Sequence, residues 1–421
     1  MRPVTSRISG FYKLPPKERL KSVAEQAGLS QEDISQIENG LKLDQANMMV
    51  ENVIGMFQVP LGIATNFLID GREVLVPMAT EEPSVIAAAS NGARMARGGG
   101  GFMTSSTGPI MRGQIQATGI VDPSGARQEI LLHKDELVKA ANDKDPMLVK
   151  FGGGVKDIEV HIVESRVGPM VVTHLIVDCR DAMGANAVNT MAEAIAPKIE
   201  EITGGRVYLR IISNLADKRL ARARAVFKAE DIGGAEIVDA IIQAAALAEA
   251  DPYRAATHNK GIMNGVTAIV LASGNDTRAV ESGAHAYATV GGRYRALTRF
   301  EKNRDGDLVG TIELPVAVGL VGGATRTHPV AKSAVKILGV KSADDLSRII
   351  ASVGLAQNFA ALRALASEGI QRGHMTLHAK NIAIQAGAAC DLVEVIAARM
   401  AAERRITVDR AAELIKELEK K

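Results

Sequence analysis

Four ionisable residues that stand far apart in the sequence, Glu82, Lys260, Asp276 and His374, are the strongest candidates for chemistry. A lysine ammonium held beside a carbonyl oxygen stabilises the negative charge that develops there during reaction. A buried carboxyl group keeps its proton to higher pH and can act as an acid, and a histidine can give up a proton near neutrality. Together these side chains suit acid–base chemistry at a carbonyl group.

Each of the four also has a purely structural interpretation. Glu82 precedes Pro83 and Asp276 begins a predicted helix, so both carboxylates are good helix caps. Lys260 lies in the polar, glycine-containing segment 255–265, for which a surface turn is an equally good prediction, and His374 resembles a solvated surface histidine. Apolar sequence on both sides of Glu82 nevertheless predicts that its side chain is buried.

The sequence gives little support for a metal site or for thiol chemistry. His374 and His378 have the i, i+4 spacing that can bind zinc on a helix, but no third ligand accompanies them and no Glu follows His374. Cys179 and Cys390 are too few for a disulfide framework or a zinc finger. We therefore expect no metal, and a reducing compartment.

The segment from Val171 to Glu193 has the order of a dinucleotide site: an apolar strand, a turn of small residues, then a helix. Small residues let backbone N–H groups approach a pyrophosphate at a helix N-terminus. The turn lacks G-x-G-x-x-G, so a plain turn remains open on these residues alone. The glycine runs at 152–154 and 322–323 are weaker candidates, because no Walker-type G-K-[ST] follows them.

Composition limits the class of protein. The 421 residues predict two or three domains, and 47% apolar with 23% charged residues predicts a folded chain. The balance of 50 basic and 48 acidic residues gives no electrostatic footprint for nucleic acid. The uncharged run 52–69 contains Gln58, Pro60 and Asn66, so it predicts strand–turn–strand rather than a membrane span, and residues 1–10 do not resemble a signal peptide. We expect a cytoplasmic protein with no membrane or nucleic-acid partner.

Local signals predict a mixed α/β architecture. Ser30 and Asp33 have capping-box spacing, Gly40 ends that helix, and Asp70-Gly71 between apolar runs predicts a hairpin. A helix from Asp44 should carry Met48, Met49 and Val53 toward a core. Further strands are predicted at 115–121, 158–163, 170–177, 206–212, 267–272 and 308–318, and helices at 135–142, 189–202, 355–368, 392–402 and 408–418.

These elements group into three parts. Residues 108–212 alternate strands and helices and are predicted to be a small α/β domain inserted into a larger one made of 1–107 and 213–371. Gly354 and Gly369 are expected to bound the amphipathic helix at 355–368. Residues 372–421 are predicted to form a mobile helical tail.

The candidate segments together resemble one family, 3-hydroxy-3-methylglutaryl-coenzyme A (HMG-CoA) reductase in its soluble bacterial and archaeal class II form. The matching stretches run in family order along nearly the whole chain: 51–55 (ENVIG), 81–84 (EEPS), 181–186 (DAMGAN), 257–261 (THNKG), 274–276 (GND) and 372–375 (RGHM). Each stretch alone is unspecific, but the combination is highly specific. The resemblance implies reductive deacylation of HMG-CoA to mevalonate and CoA with two NAD(P)H, or the reverse.

The resemblance also implies roles for residues of this chain. Lys260 would polarise the thioester and then the aldehyde carbonyl, with Asp276 holding it. Glu82 would protonate the carbonyl oxygen, and His374 on the mobile tail would protonate the departing CoA thiolate. The remaining positions implied to hold the acyl group are Ser84, Arg254 and Asn264, where Arg254 provides the cation that a free carboxylate needs.

For the cofactor, the resemblance implies a non-Rossmann site on the small domain, with its phosphate-binding turn at Asp181, Met183, Gly184, Ala185 and Asn186. Asp145 falls where NADH-preferring members carry an acid, which would bind ribose hydroxyls and repel a 2′-phosphate. The adjacent Lys144 could weaken this effect, so both NADH and NADPH remain candidates. The family assembles its active sites between the subunits of a dimer, which predicts a homodimer or an assembly of dimers.

Two other classes of function stay open at this point. A CoA-dependent lyase or acyltransferase would need no nicotinamide and would usually need a nucleophile, for which neither cysteine is suited. A non-catalytic nucleotide-binding or assembly protein would explain the glycine-rich turns but not Lys260, Asp276 and His374 in family order.

Overall fold

The computed structural model describes residues 5–367, 379–389 and 391–419. His374, His378 and Cys390, on which predictions were made above, lie outside the described residues. The described chain is a mixed α/β structure, as predicted.

Among the described residues, ten strands form two separate sheets. The larger has the order β2-β1-β3-β8-β10-β9 and the smaller β5-β6-β4-β7. Pairing is antiparallel throughout except between β1 and β3, which are parallel. An antiparallel small sheet differs from the parallel sheet of a Rossmann fold. The strands are β1 (Leu61–Ile69), β2 (Arg72–Ala79), β3 (Phe102–Ser106), β4 (Ile110–Thr118), β5 (Gly154–Val163), β6 (Met170–Asp178), β7 (Arg206–Ser213), β8 (Leu220–Phe227), β9 (Thr298–Lys302) and β10 (Leu308–Pro315).

The helices lie between and after these strands. They are α1 (Pro16–Ala27), α2 (Gln31–Asn39), α3 (Leu43–Met49), α4 (Val85–Ala96), α5 (Pro123–Leu132), α6 (Lys134–Asn142), α7 (Pro146–Lys150), α8 (Ala185–Thr203), α9 (Ala229–Ile232), α10 (Ala235–Ala250), α11 (Pro252–Ala272), α12 (Thr277–Tyr287), α13 (Gly323–Thr327), α14 (Pro329–Leu338), α15 (Ala343–Ala366), α16 (described over 379–385), α17 (Val393–Ala402) and α18 (Val408–Glu419).

Several local signals are confirmed. Ser30 and Asp33 form the capping box of α2, with the side chain of each accepting from the backbone N–H of the other. Asp70 and Gly71, with φ of 48° and 76°, make the left-handed turn between β1 and β2. Thr407 accepts the Arg410 N–H at 3.2 Å and caps α18. These elements depend on few neighbouring residues, so the sequence predicts them well.

The predictions around Lys260 and Gly354 are wrong. The expected turn at 255–265 and strand at 267–272 are one continuous helix, α11, and α15 runs through Gly354 without a break. A Cβ at Gly265 would lie 3.0 Å from the Cβ of Gln357, and one at Gly354 would lie 3.0 Å from the Val266 side chain. These glycines let α11 and α15 approach closely, and tertiary packing overrides the low helix propensity of glycine.

Helix α15 is the one described helix that is long and apolar enough to cross a membrane by length and composition. Its most apolar window is 67% buried inside the structure, against strands β3, β8 and β10 and helices α4 and α11. It is therefore a core helix that packs against the larger sheet.

The smaller sheet is formed entirely by residues 110–213, between strands β3 and β8 of the larger one. Helices α5, α6 and α8 cover one of its faces and enclose a separate apolar core. The chain enters and leaves this inserted segment at neighbouring points, because β3 pairs with β8 and β4 pairs with β7.

The segment that follows α2 differs from the prediction. Met48 is 81% exposed, Ile54 fully exposed and Phe57 96% exposed, and Val53 lies beyond the end of α3. The expectation that Met48, Met49 and Val53 face the core of this chain is therefore wrong. Residues 48–57 instead present a run of apolar side chains at the surface, which we call the apolar segment.

Candidate active site

Glu82 and Lys260, 178 positions apart in sequence, meet at the start of α4. The Lys260 Nζ donates to Glu82 Oε2 at 2.8 Å, and Asn264 Nδ2 lies 3.4 Å from Glu82 Oε1. Lys260 and Asn264 are four residues apart on α11, so they share one helix face. The carboxylate thus faces an ammonium and an amide from a single helix.

Glu82 is less enclosed than the sequence suggests. Its side chain is 37% exposed and that of Lys260 is 60% exposed, so the expectation of a buried carboxyl is wrong. The reason is that Glu82 lies in the loop before α4, where apolar neighbours do not cover it. The pair is open to a ligand from solvent.

The two residues before Lys260 fix its helix in place. Asn259 donates to the Arg295 carbonyl at 2.9 Å and accepts from the Leu297 N–H at 3.0 Å, and His258 Nε2 lies 2.6 Å from Thr298 Oγ1. Burial, together with the nearby charge of Arg254, lowers the pKa of His258 to about 4. A neutral His258 and Asn259 therefore anchor α11 to the loop before β9 and to β9 itself, directly beside Lys260.

Ser84 has two unusual features beside Glu82. It has a positive φ of 77°, rare for a residue with a side chain, at the N-cap of α4. Its hydroxyl oxygen is buried and has no hydrogen-bond partner among the described residues. Strained backbone and unpaired polar atoms concentrate at functional sites.

Arg254 lies in the first turn of α11, where its N–H donates to Asp251 Oδ2 at 2.7 Å. The side chain is half-buried, and no carboxylate lies within ion-pair distance of its guanidinium in the described ranges. It is available to an anionic ligand.

Asp276 lies at the far end of α11 from Lys260. Its Oδ1 accepts from the N–H groups of Arg278 and Ala279 at 3.0 and 3.1 Å, which makes it the N-cap of α12. Lys260 and Ala272 are twelve residues apart on one helix, which at 1.5 Å per residue is about 18 Å. The structure therefore does not bring Asp276 and Lys260 of one chain together.

The turn at 181–186 leads into α8, a 19-residue helix. Gly184 has φ of 110° and lies so close to Cys179 that a Cβ would meet its Sγ at 2.4 Å. No side chain caps the first N–H groups of α8. Unsatisfied N–H groups at the start of a long helix, with Ala185 and Asn186 in its first turn, fit the pyrophosphate of a dinucleotide.

The 181–186 turn is hydrogen-bonded to segments that belong to the larger sheet and its helices. Asp181 Oδ1 accepts from the Ala343 N–H at 2.8 Å, and its carbonyl accepts from Leu320 N–H at 2.8 Å. A Cβ at Gly319 would lie 2.5 Å from Met183 N. The Gly319 N–H in turn donates to Asn275 Oδ1 at 2.7 Å. The 181–186 turn and the loop carrying Asp276 are thus joined through Gly319.

Asp145 caps α7 through its Oδ1, which accepts from the Leu148 N–H at 2.9 Å. The Leu148 side chain abuts Gly153, and Gly153 abuts the Asp178 carbonyl at the end of β6. Asp145 therefore lies near the end of β6, just before the 181–186 turn. Its second carboxylate oxygen has no hydrogen-bond partner in the part of the chain that is described.

Each chain therefore carries two separated groups of candidate residues. The lysine half-site comprises Glu82, Ser84, Lys260 and Asn264. The dinucleotide half-site comprises the 181–186 turn, Asn275 and Asp276.

Glu159, His161 and His174 of the small sheet have side-chain atoms close enough together to hold a metal ion. The Arg112 guanidinium already bridges two of them, at 2.6 Å from Glu159 Oε2 and 2.9 Å from His174 Nδ1. Burial, with the charge of Arg112, lowers the pKa of His174 to about 4. The cluster is an internally neutralised network, in which Arg112 takes the place that a metal ion would occupy.

Comparison with known proteins gives a consistent result. The sequence model of the family described as hydroxymethylglutaryl-coenzyme A reductase matches residues 15–379. The 3-hydroxy-3-methylglutaryl-coenzyme A reductase of Archaeoglobus fulgidus is 60% identical over 99% of this chain and 96% of its own. A probable reductase of the same name from Borreliella burgdorferi is 35% identical over 89% of this chain and 88% of its own.

Solved structures agree with the sequence relatives. The 3-hydroxy-3-methylglutaryl-coenzyme A reductase of Streptococcus pneumoniae superposes with a TM-score of 0.84 at 39% identity, covering 97% of this chain and 99% of that one. A structure of the class II enzyme from the same organism, bound to NADPH in open conformations, gives a TM-score of 0.83 at 40% identity over 85% of this chain and 99% of that one.

Proposed function

This chain belongs to the hydroxymethylglutaryl-coenzyme A reductase family, and on that premise we propose which of its residues carry the reaction. The protein is an oxidoreductase of the mevalonate pathway that converts HMG-CoA to mevalonate and free CoA, and the same residues serve the reverse reaction. NAD(P)H supplies the two hydrides. The observation that carries the assignment of residues is the meeting of Glu82, Lys260 and Asn264 beside the unpaired Ser84 hydroxyl.

Lys260 is proposed to hold the substrate carbonyl oxygen. Its ammonium is 60% exposed and bonded to Glu82, so a carbonyl oxygen can approach it without passing through protein. A positive charge fixed at this point stabilises the oxyanion that forms first from the thioester and then from the aldehyde.

Glu82 is proposed to deliver the proton to that oxygen. Both of its oxygens already face donors on α11, so a carbonyl oxygen placed against Lys260 lies beside the carboxyl group. Ser84 and Asn264 then position the acyl group. Arg254, with no carboxylate partner in the described part of the chain, is proposed to bind the free carboxylate of HMG.

Asp276 is proposed to reach Lys260 from a second copy of the chain. The axial separation of about 18 Å on α11 keeps the two residues of one chain apart. A symmetric dimer would place the dinucleotide half-site of one copy against the lysine half-site of the other and complete two sites at once. Asp276 Oδ2 is unoccupied by any described residue and suits an ammonium.

The apolar segment supports this dimer. Val50, Ile54 and Phe57 are 60%, 100% and 96% exposed, a contiguous apolar surface of the kind that interfaces cover. The segment includes the ENVIG stretch at 51–55. We propose that it packs against the partner subunit.

For the cofactor, a nicotinamide dinucleotide is proposed to place its pyrophosphate at the start of α8 and its ribose near Asp145. Met183, Gly184, Ala185 and Asn186 supply the turn and the first N–H groups. We propose a preference for NADH, because the free oxygen of Asp145 would repel a 2′-phosphate. The S. pneumoniae relative was solved with NADPH, which makes the preference a direct object of measurement.

His374, which lies outside the described residues, keeps its proposed role as proton donor to the CoA thiolate. The inserted sheet at 108–212 is proposed as the nicotinamide domain, 1–107 with 213–371 as the CoA-thioester domain, and 372–421 as a closing flap. A cytoplasmic location fits the free thiol of Cys179 and the nicotinamide cofactor.

The decisive experiment is a comparison of initial rates with NADH and NADPH, with HMG-CoA in one direction and mevalonate plus CoA in the other. We expect cofactor oxidation that depends on HMG-CoA, faster with NADH. Absence of any absorbance change with both cofactors and both substrate pairs would refute the assignment.

A further inference from the structure

Arg219 is a buried guanidinium at the junction of the two sheets. It immediately precedes β8 and is only 5% exposed. Its Nη1 donates to the carbonyls of Ala182 at 3.1 Å and Met183 at 2.9 Å, and its Nη2 donates to the Val318 carbonyl at 2.5 Å. One side chain from the larger sheet thus holds two consecutive carbonyls of the dinucleotide turn.

The charge of Arg219 has no directly bonded counter-ion among the described residues. Within residues 5–367, 379–389 and 391–419, no carboxylate lies within ion-pair distance, and the bonded acceptors are all backbone carbonyls. A buried charge without a paired charge is costly, and a neutral side chain would serve a purely structural contact with less penalty. Asp178, Asp181 and Asp344 interact with this cation through space without bonding it, so the bonds of its guanidinium serve to hold the backbone of the turn.

The carbonyl contacts dictate where the neighbouring N–H groups point. In a trans peptide the carbonyl and the following N–H lie on opposite sides. Because the Met183 carbonyl faces Arg219, the Gly184 N–H faces away from it. Gly184 is the N-cap residue of α8, so this N–H joins the free donors at the start of that helix.

The bond from Arg219 to the Val318 carbonyl also helps to hold the loop that carries Asp276. Arg219 holds the Val318 carbonyl, and the next residue, Gly319, contacts Met183 N and donates to Asn275 beside Asp276. A displacement of the turn would therefore disturb the Asp276 loop as well.

We propose that Arg219 is a positioning residue for the nicotinamide cofactor: through its three bonds to backbone carbonyls it orients the 181–186 turn toward the pyrophosphate. This inference rests on the proposed function of that turn. Arg219 itself touches neither substrate nor reacting atoms.

The test measures equilibrium binding of NADH, NADPH and CoA separately, by nicotinamide fluorescence and by calorimetry. Arg219→Gln should weaken binding of both nucleotides roughly tenfold or more, the effect of losing charged hydrogen bonds, and leave CoA binding within about twofold. Arg219→Lys keeps the charge but not the three fixed bonds, so its nucleotide affinity should be intermediate. In steady state, KM for the nucleotide should rise more than kcat falls.

The matched control is Arg222→Gln, three residues further along in β8 but 40% exposed and paired with Glu313, which should leave nucleotide binding unchanged. If Arg219→Gln does not fold, Gly319→Ala tests the same attachment, since its methyl group would meet Met183 N, and it should give the same nucleotide-selective loss.

Parent-like nucleotide affinity in the folded variant, or an equal loss of CoA binding, would overturn the role of Arg219 alone. A parent protein that binds neither NADH nor NADPH would overturn the proposed function, and this inference with it.

Discussion

The Glu82–Lys260 ion pair contributes little to folding and can be removed without unfolding the protein. Both side chains are more than a third exposed, and exposed pairs of this kind contribute about 0–1 kcal/mol. The pair is therefore a position where effects on turnover and on stability separate.

Lys260→Ala should lower kcat by a factor of roughly 100 or more, because no other described cation replaces the oxyanion partner. Its thermal unfolding midpoint should stay close to that of the parent. The measurements are steady-state rates with HMG-CoA and a thermal melt. Lys302→Ala, which removes another half-exposed lysine paired with Asp239, is the control and should keep parent turnover. Near-normal turnover of Lys260→Ala would exclude Lys260 from the mechanism.

His258 gives a pH dependence of stability with a definite sign. Burial lowers its pKa to about 4 in the folded chain, against 6.5 ordinarily, so the unfolded chain takes up this proton first. Stability contributed by neutral His258 is complete above about pH 6.5 and is lost as pH falls toward 4. The loss is roughly 3 kcal/mol.

His258→Gln removes this titration. It should be less stable than the parent at pH 7, because the contact with Thr298 is weakened, but the difference in unfolding free energy should narrow between pH 6.5 and 4. Urea unfolding at several pH values measures it. A difference that is constant or widens over that interval would contradict a buried neutral His258.

How far single residues were predictable depended on how local their roles are. The cap at Asp276 needs only the next three residues, and the sequence predicts it. The meeting of Glu82 with Lys260 spans 178 positions and could be inferred only from resemblance to a family. Arg219 is not predicted from the sequence, because its partners are backbone carbonyls, which leave no sequence pattern.

At the level of elements, glycines within helices differ in whether packing requires them. A Cβ at Gly92 on α4 would lie 2.3 Å from the Ala356 carbonyl oxygen on α15, whereas Gly261 on α11 has nothing within 4 Å. The first glycine is required by close helix packing and the second is not.

Gly92→Ala should therefore destabilise the protein by about 1 to 3 kcal/mol through overpacking. Gly261→Ala should be neutral or stabilise it by up to about 1 kcal/mol, because alanine is the better helix former. Denaturant unfolding of the pair, at one pH and temperature, compares them. The packing argument fails if Gly92→Ala is as stable as Gly261→Ala.

The same ambiguity explains the main errors of element prediction. Gly265 and Gly354 suggest a turn and a helix boundary when only the neighbouring sequence is considered, but both serve the contact between α11 and α15. Local propensity favours a break there, and burial of two long helices against each other outweighs it. Strands of the small sheet are predicted better, because β4 alternates buried and less buried residues and β6 is a nearly continuous apolar run.

At the level of the whole molecule, the separation of the two half-sites leads to a complementation experiment. Lys260→Ala and Asp276→Ala homodimers should each be nearly inactive. A heterodimer of the two carries one site with both native residues and one site with neither, so a statistical mixture should recover about a quarter of parent activity. The measurement is turnover after mixing, dissociation and reassociation.

The control is each variant treated in the same way alone, which should recover no activity. A mixture that stays inactive while heterodimers are demonstrably present would show that both residues act within one chain, contrary to the geometry of α11.

The paired connections of the inserted sheet bear on how the chain can fold. Thr107 N–H donates to the Leu220 carbonyl at 3.0 Å, so the two chain ends of the insertion are hydrogen-bonded neighbours. Joining β3 to β8 directly closes a loop of roughly 110 residues, whereas prior pairing of β4 with β7 leaves only a few residues on each side to close. The difference in loop-closure entropy is about 2 kcal/mol. Folding of the insertion by itself thus brings its two ends together. Strands β3 and β8 of the larger sheet can then pair as if they were close in sequence.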